Sequence, residues 1–221
     1  MTSAPFQRAR SAEAKRSREQ DILDAARAQA ERDGVRSVTL TGVAADIGMH
    51  KSALLRYFET REQILLLLAA EEWRAWSATV RERLAGLPAS VEADRVAAVL
   101  AASLVERPLF CDLLAHVPLG LERNVSLGSV RRYKLGTRQE VDAIAAALRR
   151  AVRGLDGVAA VDLIAAVTSL AGAFWQMANP TPAVGHLYRT DPELTHAVVD
   201  VEPRLRRIVA AMLSGVDAGV A

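Results

Sequence analysis

The segment IGMHKSALLRYFETREQILL, Ile47 to Leu66, carries the side chains with most to offer a partner. Leu54 and Phe58 stand one helical turn apart and point the same way, which assigns them to a core. Lys51, Ser52, Ala53, Leu55, Arg56 and Tyr57 are left on the outer side. An arginine fork matches the acceptor edge of guanine, an alanine or leucine meets the methyl of thymine, and an ammonium or hydroxyl suits a phosphate oxygen. The major groove of B-DNA, about 12 Å wide, accepts one helix bearing such a set.

Catalytic chemistry has no comparable foothold. No nucleophile stands with a base at recognisable spacing, no glycine-rich phosphate loop occurs, and no aspartates cluster to hold magnesium. His50, His116, His186 and His196 are scattered without metal-ligand spacing, so neither a metal nor a cofactor is expected, and His50 reads as a turn residue. The lone cysteine, Cys111, cannot form an internal bridge and fits a small buried position in a reducing compartment. MTSAPFQRARSAEAK lacks the apolar stretch of a signal peptide, and runs such as ILLLLAA fall well short of the roughly 20 residues that cross a bilayer. A soluble, cytoplasmic, non-enzymatic protein without a membrane partner is the expectation.

The elements that must hold the outer residues can be read from helix punctuation. Ser17 and Gln20 have the spacing of a capping box, Ile22, Ala26 and Ala30 follow at helical spacing, and Gly34 suits a helix end after Asp33. Thr39 or Thr41 can cap a second helix, apolar at Leu40, Val43, Ala44 and Ile47, which Gly48 ends. With only Met49 and His50 before the third helical pattern, the pair reads as a helix-turn-helix. Thr60 and Gln63 cap a long fourth helix that ends before Gly86 and carries the chain into a second region.

Beyond it, Ser90 is read as the cap of a helix through about Val105, Pro108 as a break before a short apolar helix, and PLGLERNVSLG as irregular chain. Helices are expected from about Val130 to Val152 and from about Ala159 to Ala178, the latter apolar on most sides and so in need of cover from its own core or a second subunit. NPTPAVGHLYRT reads as a loop, Asp191 with Pro192 as a helix start, and Pro203 as a kink or restart.

The net charge of +2 predicts no partner, but its distribution is uneven. Residues 1 to 18 hold five basic side chains against one acidic, and residues 1 to 61 sum to +3 (eleven against eight), leaving −1 for the rest. A basic front on a nearly neutral body suits a phosphate-seeking head.

Taken in order, ILDAA at Ile22 to Ala26 and then TLTGVAADIGMHKSALLRYFETREQIL resemble the N-terminal DNA-binding domain of the TetR family of bacterial transcriptional regulators. The family pattern opens its first helix with I-L-x-A-A and continues T-x-x-x-I-A-x-x-A-G-V-S-x-x-x-L-Y-x-Y-F-x-x-K-E-x-L. This chain departs from it at His50, where serine is usual, at Leu55, where a phosphate-touching tyrosine is usual, and at Arg61, which keeps the charge of the usual lysine. By position the resemblance implies base reading by Lys51, Ser52, Ala53, Leu55 and Arg56, and phosphate contacts from Thr41, Tyr57 and Arg61.

The resemblance further implies an all-α chain: a basic, flexible arm over 1–16, a three-helix helix-turn-helix domain over 17–66, and a larger helical domain for effector binding and dimerisation over 67–221. The expected partners are a pseudo-palindromic double-stranded DNA operator, a second copy of the chain and a small-molecule effector that releases the DNA. Trp73, Trp76, Phe110, His116, Phe174, Trp175 and Met177 are candidates for an effector pocket, and for each a plain reading as core is favoured over that role. A helical ligand-binding or adaptor protein without DNA binding is the rival reading, opposed by the retention of Lys51, Arg56 and Arg61.

Overall fold

The computed structural model describes residues 4–88 and 92–218, and among these there is no strand. The first helix, α1 (Ala4–Asp33), buries Ile22, Leu23, Ala26 and Ala30 along one face. It begins well before the expected start. Ser17 lies inside the helix rather than at its cap, because the stretch from Glu13 onward is rich in strong helix formers and is laced by short-range pairs. Lys15 meets Glu19 at 3.8 Å, and Gln20, expected to close a capping box, donates instead to Asp24 at 2.9 Å. The segment expected as a flexible arm is thus helical from Ala4.

A 3-10 turn, Val35–Ser37, follows Gly34, whose φ of 83° suits a residue without a Cβ. Then come α2 (Leu40–Asp46), α3 (Lys51–Leu54) and the long α4 (Arg61–Ala85). Thr60 Oγ1 accepts from Gln63 N–H at 3.1 Å, and Gln63 reaches back to Glu59 N–H at 2.9 Å, so this capping box forms, one residue displaced on its return arm. With 25 residues, α4 is about 37 Å long, enough to run from the head through the middle of the body.

The body adds α5 (Ala93–Val105), α6 (Pro108–His116), α7 (Leu127–Ala151), α8 (Gly157–Ala178), α9 (Pro182–Thr190) and α10 (Val201–Ala218). The expected cap at Ser90 lies outside the described residues. Two segments read as loop are helical. Val117–Leu121 continues α6 as a π-helical turn, and α9 fills most of NPTPAVGHLYRT. Pro182 occupies the first helical position, where proline is tolerated, and Gly185 packs in against Pro180 and Arg189. Asp191 caps a 3-10 segment, Pro192–Ala197, and Pro203 falls in the first turn of α10.

The body pairs α4 with α7, α5 with α10 and α6 with α8. Gly172 lets α8 approach α6 so closely that a Cβ there would lie 2.8 Å from Ala115 N. By length and mean hydropathy α8 is the one described helix that could cross a bilayer. One side of it, at Ala160, Leu163, Ile164, Val167 and Ala171, is buried in the core, and Val161 and Met177 remain exposed.

Candidate nucleic-acid interface

The outer residues singled out by sequence sit on a turn braced from behind. Thr39 caps α2 by accepting Gly42 N–H at 3.0 Å, which resolves the choice between Thr39 and Thr41. Thr41 is left exposed on the first turn of α2. Gly48 takes a φ of 64°, a left-handed conformation that reverses the chain at little steric expense, and Met49 N–H closes on Ala44 C=O at 2.8 Å. Gln29 of α1 donates to Asp46 at 2.9 Å and lies against Gly42, where a Cβ would be 2.6 Å from its amide nitrogen. This contact fixes α2 on α1, and no local spacing announced it.

The third helix is shorter than its pattern suggested. Regular α geometry covers Lys51–Leu54, and the chain then tightens, with Arg56 N–H bonded to Ala53 C=O at 3.2 Å and Tyr57 N–H to Leu54 C=O at 2.8 Å. Leu54 and Phe58 are buried as expected. Lys51, Ser52, Leu55 and Arg56 are exposed together, and Ala53 is half-buried among them.

Two of the residues given phosphate contacts are partly engaged by the protein itself. The Arg61 guanidinium donates to the carbonyls of Arg36 and Val38 at 3.2 and 3.3 Å and lies 3.5 Å from Glu62. Its first-turn position on α4 brings it against the loop that leads into α2, which it braces while remaining partly exposed. Tyr57, half-buried, lines a cleft of about 390 Å³ with Phe58, Leu67, Arg132 and Tyr133, turned toward the body.

The seven residues proposed to surround an effector are not gathered in one cavity. Trp73, Trp76 and Phe110 are buried against one another with ring centroids 5.3 to 5.7 Å apart, and Trp76 Nε1 donates to Ser103 at 2.9 Å. Such packing is that of a core, which reaches the density of an organic crystal. Phe174 lies 5.5 Å from the Arg204 guanidinium, and Met177 is exposed. His116 and Trp175 alone line a cleft, one of about 800 Å³ at the junction of head and body, bounded by Val35, Arg36, Arg107, Asp112 and Gln176.

Polar contacts across that junction were invisible to sequence reading because their partners are far apart in the chain. Arg27 of α1 meets Glu71 at 2.8 Å and Glu72 at 2.5 Å on α4, and Arg107 joins Glu72 from the other side at 3.3 Å. Asp112 receives Val35 N–H at 2.7 Å and the Gln176 amide at 2.8 Å. Burial alone would raise the Asp112 carboxyl, but the His116 imidazole, Val35 N–H and Gln176 outweigh it and hold it below the usual carboxylate range. His116 is correspondingly raised by its bond to Asp112, against the opposing pull of burial. Burial pushes the Cys111 thiol up to about 12, and it is inert packing.

Comparison with known proteins places both halves. Residues 22–68 match the model of bacterial regulatory proteins of the tetR family, and residues 70–219 match the Tetracyclin repressor-like, C-terminal domain. No curated protein matches the chain. Among solved structures, it is similar to the TetR family regulator PfmR from Thermus thermophilus, with 16% identity over 87% of this chain and 97% of that one and a TM-score of 0.55. A putative TetR-family regulator from Mesorhizobium loti shares 12% identity over 92% and 96% of the two chains, at a TM-score of 0.56. Thermus thermophilus FadR, solved with lauroyl-CoA, shares 16% over 86% and 92%, at a TM-score of 0.53. At such identities these structures speak for the fold. The two family models together span nearly the whole chain, and the protein is a member of the TetR family of bacterial DNA-binding transcriptional regulators.

Proposed function

We propose that the protein is a homodimeric repressor that binds a pseudo-palindromic operator through Lys51, Ser52, Ala53, Leu55 and Arg56, and that a small molecule releases it. The observation that carries this reading is the exposed edge Lys51, Ser52, Leu55 and Arg56, held outward by buried Leu54 and Phe58. Thr41 remains the best-placed phosphate contact, beside the start of α2. Two copies are needed, since one recognition turn reads few base pairs and two, about 34 Å apart, read successive major grooves. A stripe at spacing of about four along α8, Val161, Ala165, Ser169, Ala173 and Met177, is exposed, and Met212 is exposed on the neighbouring α10, which supports a four-helix seam.

The effector is best placed in the junction cleft, where His116 and Trp175 meet Arg36 of the head. FadR was solved holding an acyl-CoA, so the fold accommodates effectors. Selection of bound sequences from random duplex DNA tests the reading. A palindromic consensus is expected, with affinity falling by about 0.9 log units per log unit of salt for each phosphate neutralised. A protein that enriches no sequence and shows a salt slope near zero would instead be a helical ligand-binding or adaptor protein.

A further inference from the structure

The head meets the body through two groups of polar contacts, and a single carboxylate stands at the centre of one of them. Asp112, midway along α6, accepts from three donors on three elements. Val35 N–H of the head's 3-10 turn reaches Oδ2 at 2.7 Å, Gln176 of α8 reaches Oδ1 at 2.8 Å, and His116 Nδ1 lies 3.2 Å from Oδ1. The turn is shaped for this. Gly34 holds a φ of 83°, and the place where its Cβ would stand faces Asp112 Oδ2 at 3.6 Å. A second contact reaches the same turn, since Arg36 Nε lies 3.1 Å from His116 Nε2 and donates to it while the imidazole is neutral. Donors of this kind bind an ionised acceptor more strongly than a neutral one.

We infer that Asp112 is the residue that positions the DNA-binding head on the body. The other group of contacts, Arg27 with Glu71 and Glu72, ties α1 to α4. The apolar core and α4 run on from head to body, and the two polar ties add a fixed direction to that contact. Without Asp112 the head keeps its fold, because Ile22, Ala26, Val43, Leu54 and Phe58 stay buried, but the 3-10 turn loses its bond to α6 and the angle of the head on α4 is less tightly held. Sequence-indifferent binding needs only charge, so it survives such loosening. Binding to a palindrome needs both heads at fixed spacing, so it does not. This rests on the operator-binding reading above. It adds the junction cleft's own chemistry to it, for a ligand seated there touches the very atoms that fix the head.

The test uses the full-length protein, the operator recovered by selection and a random duplex of equal length. Asp112→Ala is expected to lose about tenfold in operator affinity, the scale of a hydrogen bond to a charged group, with affinity for the random duplex unchanged. Amides of Val35 to Ser37 should exchange hydrogen faster, while those of Leu65 and Leu68 in α4 stay as slow as in the wild type. Asp112→Asn, which keeps an acceptor for Val35 N–H, should recover most of the operator affinity. Gln176→Ala, which removes one donor and leaves the carboxylate in place, should show a weaker split in the same direction and serves if Asp112→Ala fails to fold. Equal loss on both duplexes, or wild-type behaviour on both, overturns the inference. If the wild-type protein selects no operator, the DNA reading fails by itself. Exchange at Val35 to Ser37 then still decides: acceleration in the variant supports the tie, and no change overturns it.

Discussion

Leu55 stands 42% exposed at the position where the family pattern has a tyrosine, and its neighbours Lys51 and Arg56 are exposed with it. Arg56 can offer a bidentate fork to a base, so Arg56→Ala should flatten discrimination at one operator position by about 1–3 kcal/mol, read from competition among single-base operator variants. Arg61→Ala should behave differently. Its guanidinium holds two backbone carbonyls of the head, so the variant should lower the thermal midpoint by the equivalent of about 1 kcal/mol and leave the base preferences unchanged. The Asp112 and His116 pair makes a pH prediction. His116 is raised, so its contribution is complete below the ordinary imidazole range and is lost as pH rises through the raised value. Asp112 is lowered, so its contribution is present above the ordinary carboxylate range and is lost as pH falls through the lowered value. Thermal stability should therefore peak in the mildly acidic window between them, and His116→Gln should remove the decline on the alkaline side.

At the scale of elements, the caps that rest on local chemistry were legible and those that rest on competition between neighbouring patterns were not. Thr39 and Thr60 cap α2 and α4 because each faces a backbone N–H three residues on. Ser17 has the same spacing and caps nothing, because the residues before it also favour helix. The apolar spacing of α8 was plain, but the reason for Gly172 was not: it lies where α6 and α8 touch backbone to backbone. Gly172→Ala would press a methyl against Ala115 N and Leu114 C, which cannot yield as a side chain can. It should cost about 1–3 kcal/mol, measured by chemical denaturation, with α6 and α8 moving apart.

The whole molecule depends on what covers the outer face of α8 and α10. Val161 at 39% and Met212 at 38% exposure lie on that face. Val161→Asp would place an unpaired carboxylate in the proposed dimer seam at a penalty of about 3 kcal/mol or more, and the expected outcome in sedimentation experiments is a monomer. Operator affinity should then collapse while the melting of each chain stays cooperative. A variant that remains dimeric would move the seam elsewhere. The solid aromatic centre formed by Trp73, Trp76 and Phe110 also argues at this scale, because it directs attention from the body's interior to the junction between head and body.

By itself the sequence determined the helical class, the head's helix-turn-helix and the exposure of Lys51, Ser52, Leu55 and Arg56 on its turn. These follow from spacing over a few turns, where periodicity and capping act between residues close in the chain. Tertiary structure alone decided that Arg61 holds the Val38 carbonyl, that three of the expected effector residues are buried, and that Asp112 joins Val35 to Gln176. Those partners are 23 to 77 residues apart in the chain. No local rule relates residues so distant, and only the packing of helices brings a donor to its acceptor.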